Sequence, residues 1–294
     1  MADNDYTKRI GDRREGRQLR SLDAGDRLSA HIRQNRSSAT VNFRDSIECT
    51  EIERYLRNRQ NNGHPSISTQ HVFLAAYVRV VTQIPGLNRF VAGGRIYSRF
   101  GIDALVTMRR AIAEGMTPGT VRLALTHSDT IFDIEEKMLS GIDAARAGES
   151  DELLDQFSSS LLRLPSPVVK FTVWALRVLD YLDWLPGSLL NNSPYHGSIN
   201  ITDYGPQGTP PLSRGLDDFG NIPLSLQIGA RRREAKLDER GNPMLVRYID
   251  YEIALDDRIC SGYLLTSAIK YFRYYLANPH LLENPPETIT EDVL

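Results

Sequence analysis

The sequence predicts an α+β sandwich, a mixed sheet covered by helices, built as one domain over residues 25–290 of a 294-residue chain. Three observations carry this prediction. Leu245, Ile249, Tyr251, Ile253 and Leu255 share one parity, the period-2 signature of a half-buried strand, and the strand runs into the polar turn Asp256-Asp257-Arg258-Ile259-Cys260-Ser261-Gly262. Beyond the turn, Leu264, Leu265, Ala268, Ile269, Phe272 and Leu276 recur at helical spacing until Asn278-Pro279 closes the helix. A second helix, Gln70 to Gln83, turns Val72, Phe73, Ala76, Val80 and Val81 to one side and stops at Ile84-Pro85-Gly86-Leu87-Asn88, after which strands follow.

Taken in order, residues 1–24 carry Arg9, Arg13, Arg14, Arg17 and Arg20 with almost no apolar periodicity, and read as an arm, either solvated or ordered against another subunit. Ala39 to Phe43 reads as a short strand, and Ile47, Ile52 and Leu56 as a helix. Asn61 to Pro65 is a turn cluster, and Ser68 or Thr69 caps the helix that follows. Arg95–Arg99, Ala104–Met108 and Val121–Leu125 are strands. Residues 130–190 read as a helical insertion: Ile131 to Met138, Glu152 to Leu164, and Val168 to Leu185, with Pro165, Pro167 and Pro186 as breaks. The stretch Phe171 to Leu185 is the most apolar of these. It suits a lid, a membrane-surface or partner contact, or a helix packed on the sheet. Strands return at Ser198–Thr202, Leu224–Gly229 and Met244–Leu255, and a short Pro-rich tail begins at Asn284.

Composition narrows the function classes. Thirty-five Lys and Arg against 37 Asp and Glu leave a net charge of −2, which gives no reason to expect nucleic acid. Cys49 and Cys260 lie far apart and without metal-ligand spacing, so neither a disulfide framework nor a zinc site is expected. No run of eighteen apolar residues offers a transmembrane segment, and the polar N-terminus is unlike a secretory signal; the expected location is cytoplasmic.

The strand, the turn and its helix resemble the C-terminal end of the superfamily of chloramphenicol acetyltransferase and the dihydrolipoyl acyltransferases of 2-oxoacid dehydrogenases. There the turn reads Asp-His-Arg-x-x-Asp-Gly or His-His-x-x-x-Asp-Gly. Asp256, Arg258 and Gly262 keep that register, but Asp257 stands at the catalytic His position and Ser261 at the Asp position. The apolar helix ending in Pro85-Gly86-Leu87-Asn88 before a Gly-containing hairpin resembles the same family, so the likeness spans about residues 25–290. The resemblance implies a chloramphenicol acetyltransferase-like two-layer sandwich, a homotrimer or higher assembly with clefts between subunits, and CoA or acyl-CoA as substrate. The helical insertion is similar to stand-alone members without a lipoyl domain.

Acyl transfer needs a base for the nucleophile and a donor for the developing oxyanion. The resemblance gives the first role to position 257 and the second to Thr202, in Ile201-Thr202-Asp203-Tyr204-Gly205; the family's Asp at position 261 pairs with an Arg that holds the frame. With thiol, His and Asp near about 8.5, 6.5 and 4, replacing His by Asp adds on the order of 3 kcal/mol to proton transfer, a hundredfold or more in rate. His196 is a substitute base or a structural hydrogen-bonding residue. Cys260 is a nucleophile or a packed thiol, His71 and His127 are core-edge residues, and Arg231, Arg232 and Arg233 are either CoA-phosphate contacts or a solvated strand end. Two functions follow. One is an acyltransferase-family protein with reduced or lost activity; the other is a non-catalytic trimeric scaffold or ligand-binding pseudoenzyme that assembles with another protein.

Overall fold

The computed structural model describes residues 6–108, 119–146, 163–237 and 240–293. In chain order these form β1 (Gly16–Gln18), α1 (Ala24–Ile32), β2 (Thr40–Glu48), α2 (Thr50–Asn61), α3 (Thr69–Gln83), β3 (Arg89–Ala92), β4 (Arg95–Arg99), β5 (Ile102–Met108) and β6 (Gly119–Leu125). Then follow α4 (Ile131–Arg146), α5 (Ser166–Tyr181), α6 (Gly187–Asn192), β7 (Ile199–Asp203), β8 (Leu224–Leu237), β9 (Pro243–Asp256) and α7 (Gly262–Ala277).

Six strands make the main sheet in the order β2-β9-β8-β7-β5-β6, and β1-β4-β3 make a small second sheet. The main sheet is mixed, as expected: β7 runs parallel to both β5 and β8, and the remaining pairs are antiparallel. Alternation of side chains sorts its two faces. Leu224, Leu226, Ile199, Ile201, Ala104, Val106 and Leu255 turn to one face and are buried against the helical layer.

Helix α3 is the centre of that layer, which is why its apolar residues do not keep to one stripe: Thr69 through Thr82 are all buried. Ser68 is its N-cap, and His71 Nδ1 accepts the Ser68 backbone N–H at 3.1 Å. Phe73 meets Tyr251 and Phe272 edge-on at centroid distances of 5.6 and 5.8 Å, tying α3 to β9 and α7.

Several expectations change. The Arg-rich stretch is no free arm from residue 6 onward: β1 pairs with β4, and Arg13 is buried against Asp180. Ile47 belongs to β2, paired with Ile249, rather than to a helix. Strand β3 escaped the sequence reading because four residues give too little alternation; Gly93 and Gly94, at φ +56° and +71°, make the tight turn into β4. Strand β8 does not stop at Gly229 but bulges there and continues to Leu237, so Arg231, Arg232 and Arg233 lie within a strand. A Cβ at Gly229 would sit 2.4 Å from Pro211 Cδ, so the bulge needs glycine. The helix expected over 152–164 falls outside the described residues except at its last two. Helix α5 has no buried residue and is not packed into the sheet.

Candidate functional site

The polar turn after β9 is a set of ion pairs. Asp256 is 1% exposed, and its carboxylate accepts from Arg258 Nε at 2.8 Å and Nη2 at 2.6 Å, with Arg36 Nε at 3.7 Å. Arg258 Nη1 also donates to the Arg33 carbonyl at 2.7 Å. Burial pulls Arg36 down to about 10 despite the opposing Asp256 charge. Asp256 and Arg258 thus fix the turn from inside, and two arginines face the Asp256 carboxylate.

Asp257 points the other way. Its backbone N–H donates to the Ala39 carbonyl at 2.9 Å, and its half-exposed carboxylate accepts from Arg33 Nη1 at 2.5 Å. Ser261 is exposed, serves as the N-cap of α7 and makes no side-chain capping bond. An arginine beside the turn is nonetheless held by a carboxylate. Arg89 Nε donates to Asp292 Oδ2 at 2.8 Å, Nη2 reaches Oδ1, and Nη1 donates to the Ile259 carbonyl at 3.3 Å. The carboxylate comes from the C-terminal tail, and Asp292 was not among the residues the sequence singled out. Burial pushes the Cys260 thiol up to about 12, which favours its packed-thiol reading over a nucleophile.

Thr202 lies on the sheet face opposite the helical layer. Register aligns Arg44, Glu252, Gln227, Thr202, Thr107 and Thr120 in one row across all six strands. Glu252 is fully buried, pairs with Arg44 and accepts from Ser213 Oγ; Thr202 Oγ1 donates to Thr107 Oγ1 at 3.3 Å. One step along the strands, Asn200 and Ser225 line a cavity of about 290 Å³ with Thr107, Thr120 and Arg36, and Asn200 Oδ1 is buried there without a hydrogen-bond partner. This polar row draws on strands far apart in sequence, and no local motif reveals it.

Thr202 and Asp257 are not brought together within one chain. The register sets Thr202 opposite Gln227 and Gln227 opposite Glu252, two strand spacings or about 10 Å, and Asp257 lies five residues or about 17 Å beyond, so the separation is about 20 Å.

His196 is also remote from Thr202, six residues up the chain, and is 1% exposed. Its Nδ1 lies 2.7 Å from Ser193 Oγ and its Nε2 3.6 Å from Asp180 Oδ1, while Phe219 packs edge-on against the ring. Burial pushes the Asp180 carboxyl up, but His196 together with the Arg13 and Arg36 guanidiniums outweighs burial and holds it below its ordinary range. The ring is enclosed by these contacts, with Nε2 buried and without a hydrogen-bond partner. Arg231 sits 3.1 Å from Glu53, and Arg232 bonds Asp250 at 2.8 Å and reaches Glu234; Arg233, next in the strand, is exposed. Among the described residues, no group of three His, Cys, Asp or Glu side chains is placed to hold a metal ion, and no helix is long and apolar enough to cross a membrane.

No protein-family profile and no curated protein matches the sequence. Solved structures do. A probable dihydrolipoamide acetyltransferase from Listeria monocytogenes is 14% identical, with 87% of this chain and 93% of that one covered at a TM-score of 0.55. The dihydrolipoamide acetyltransferase of Azotobacter vinelandii is 10% identical, with 94% of each chain covered at 0.56, and a chloramphenicol acetyltransferase is 15% identical over 86% and 96% at 0.50. With the same two-layer arrangement and the same mixed sheet over most of its length, the chain has the fold of the dihydrolipoamide acetyltransferase and chloramphenicol acetyltransferase catalytic domains.

Proposed function

We propose that the protein is a CoA-binding homotrimer of the acyltransferase fold in which acyl transfer is reduced or lost, because Asp257 stands where the base belongs. The observation that carries this reading is the Arg33–Asp257 ion pair: the carboxylate oxygen nearest the base position is already taken by a guanidinium at 2.5 Å. The mismatch of proton affinity between a carboxylate and a thiol adds on the order of 3 kcal/mol relative to His.

In this reading Thr202 supplies the oxyanion donor by turning its hydroxyl away from Thr107. A separation of about 20 Å within one chain means that the turn must act on the Thr202 of another copy, which supports an assembly with clefts between subunits. In the Azotobacter enzyme a serine, a histidine and, four residues after it, an asparagine have been examined for their role in the catalytic mechanism. Asp257 and Ser261 have the same four-residue spacing here, and neither is the residue named there. CoA phosphates would draw Arg231 and Arg232 away from Glu53 and Asp250, with Arg233 already exposed.

A second reading, a scaffold or ligand-binding subunit without catalysis, is favoured by Asp292. The frame of the turn is kept by a substitute carboxylate while the base is not. Calorimetric titration with CoA and acetyl-CoA separates the two. Binding at one site per subunit, with slow thiol-dependent loss of acetyl-CoA that Asp257→His raises about a hundredfold, supports the first. No heat at millimolar CoA supports the second. Turnover at ordinary acyltransferase rates by the wild type, abolished by Asp257→Ala, would defeat both.

A further inference from the structure

Helix α5 and the residues after it present an apolar surface to solvent. Val168, Phe171, Trp174, Val178 and Tyr181 follow one another at steps of three and four, so they share one face, and Leu182 and Trp184 continue it; all seven are exposed. The opposite side, Val169, Thr172, Leu176 and Leu179, is half-buried on the protein, and Asp180 on that side is held by Arg13 at 2.8 Å. The helix is therefore seated by its inner edge with its aromatic edge outward. Trp174 and Trp184, the chain's two tryptophans, are 59% and 69% exposed. An exposed stripe of this size and aromatic content is uncommon on a protein surface without a binding role.

Charge selects the occupant. The segment's two carboxylates are spoken for, since Asp180 and Asp183 both face Arg13. Its bases are exposed: Arg163, Lys170 and Arg177, the last also lining a cavity with Asp218, and exposed Arg14 lies 3.5 Å from the Leu185 carbonyl at the helix's far end. Sixteen residues span about 24 Å, too short and too charged to cross a bilayer but suited to lying along its surface. Tryptophan and tyrosine prefer the headgroup boundary, and outward Lys and Arg favour anionic lipid. Two copies packed face to face through this stripe would instead oppose Lys170 and Arg177 to their own kind.

We propose that α5 docks the protein on an anionic lipid surface, with Phe171, Trp174, Tyr181 and Trp184 in the headgroup boundary and Arg14, Lys170 and Arg177 against the lipid charge. The proposal is independent of any acyl transfer. The full chain is floated with phosphatidylcholine vesicles with and without phosphatidylglycerol, while tryptophan emission is followed. Flotation with the anionic vesicles and a blue shift are expected. Lys170→Gln and Arg177→Gln each lower partitioning about fivefold. Phe171→Ser with Trp174→Ser lowers it at least about tenfold, and melting curves stay unchanged because the positions are exposed. Absence of flotation with anionic vesicles at low salt overturns the proposal. So does an emission maximum that shifts with protein concentration in the absence of lipid, which would assign the stripe to a second copy of this chain.

Discussion

Asp292→Ala tests whether the C-terminal tail holds the turn. In the folded chain the Arg89 side chain is 9% exposed and that of Asp292 3%, and two guanidinium nitrogens bond two carboxylate oxygens. Removing the carboxylate leaves Arg89 with the Ile259 carbonyl at 3.3 Å as its remaining acceptor, an uncompensated buried charge. Breaking a buried pair from one side costs about 3–5 kcal/mol. In a chain of this size that lowers the melting temperature on the order of 10 °C. Asp292→Asn keeps the shape and an acceptor oxygen and should recover part of the loss. Urea denaturation of wild type, both Asp292 variants and Arg89→Met gives the free energies directly. Arg89→Met breaks the pair from the other side, leaves the Asp292 carboxylate, 3% exposed, without its guanidinium, and should cost a similar amount. A cost below about 1 kcal/mol for Asp292→Ala, the size of a surface pair, would refute the claim that the tail holds the turn.

Three smaller effects follow from the same structure. Arg33 and Asp257 are 45% and 32% exposed, so Asp257→Ala should cost under about 1 kcal/mol in urea titrations even though it empties the base position. Burial pushes His71 down to about 4. Its neutral form is the one that folds, so stability is full above about 6.5 and falls as pH drops through about 4, by up to about 3 kcal/mol; His71→Gln should flatten that part of the pH profile. Burial lifts the Cys49 and Cys260 thiols to about 11 and about 12, so at pH 8 the native protein should leave a disulfide reagent almost unreacted, and denaturant should release both thiols.

What the sequence disclosed is what one buried face writes into a single strand or helix. Tyr251, Ile249 and Leu255 alternate because one side of β9 meets α3 and α7, and burial fails at Leu245, which keeps the parity but is exposed on the outer part of the β8–β9 pair. The α7 pattern and the stop after α3 were readable for the same reason, and the resemblance built on them leads to the observed fold. The site was less readable because its parts meet by register and not by spacing. Glu252 reads as an outward polar residue between Tyr251 and Ile253, yet it is fully buried and shares a row with Thr202. Asp292 sits in what reads as a tail and holds the turn from a distance of more than thirty residues in sequence. Asp257 was readable as a substitution, but its partner Arg33 was not, since nothing in Leu28 to Ile32 announces that the chain will return to the turn. The two halves of the candidate centre, Thr202 on the polar row and Asp257 on the ion-paired turn, lie about 20 Å apart in one chain. A mixed-subunit experiment therefore decides whether they work together: assemblies of wild-type chains with Thr202→Ala/Asp257→His chains bring a wild-type Thr202 to face an introduced His only if the cleft lies between copies. Activity in the mixture above that of either parent is the expected result, and a mixture no more active than its parents, while Asp257→His alone is active, would place the chemistry within a single chain.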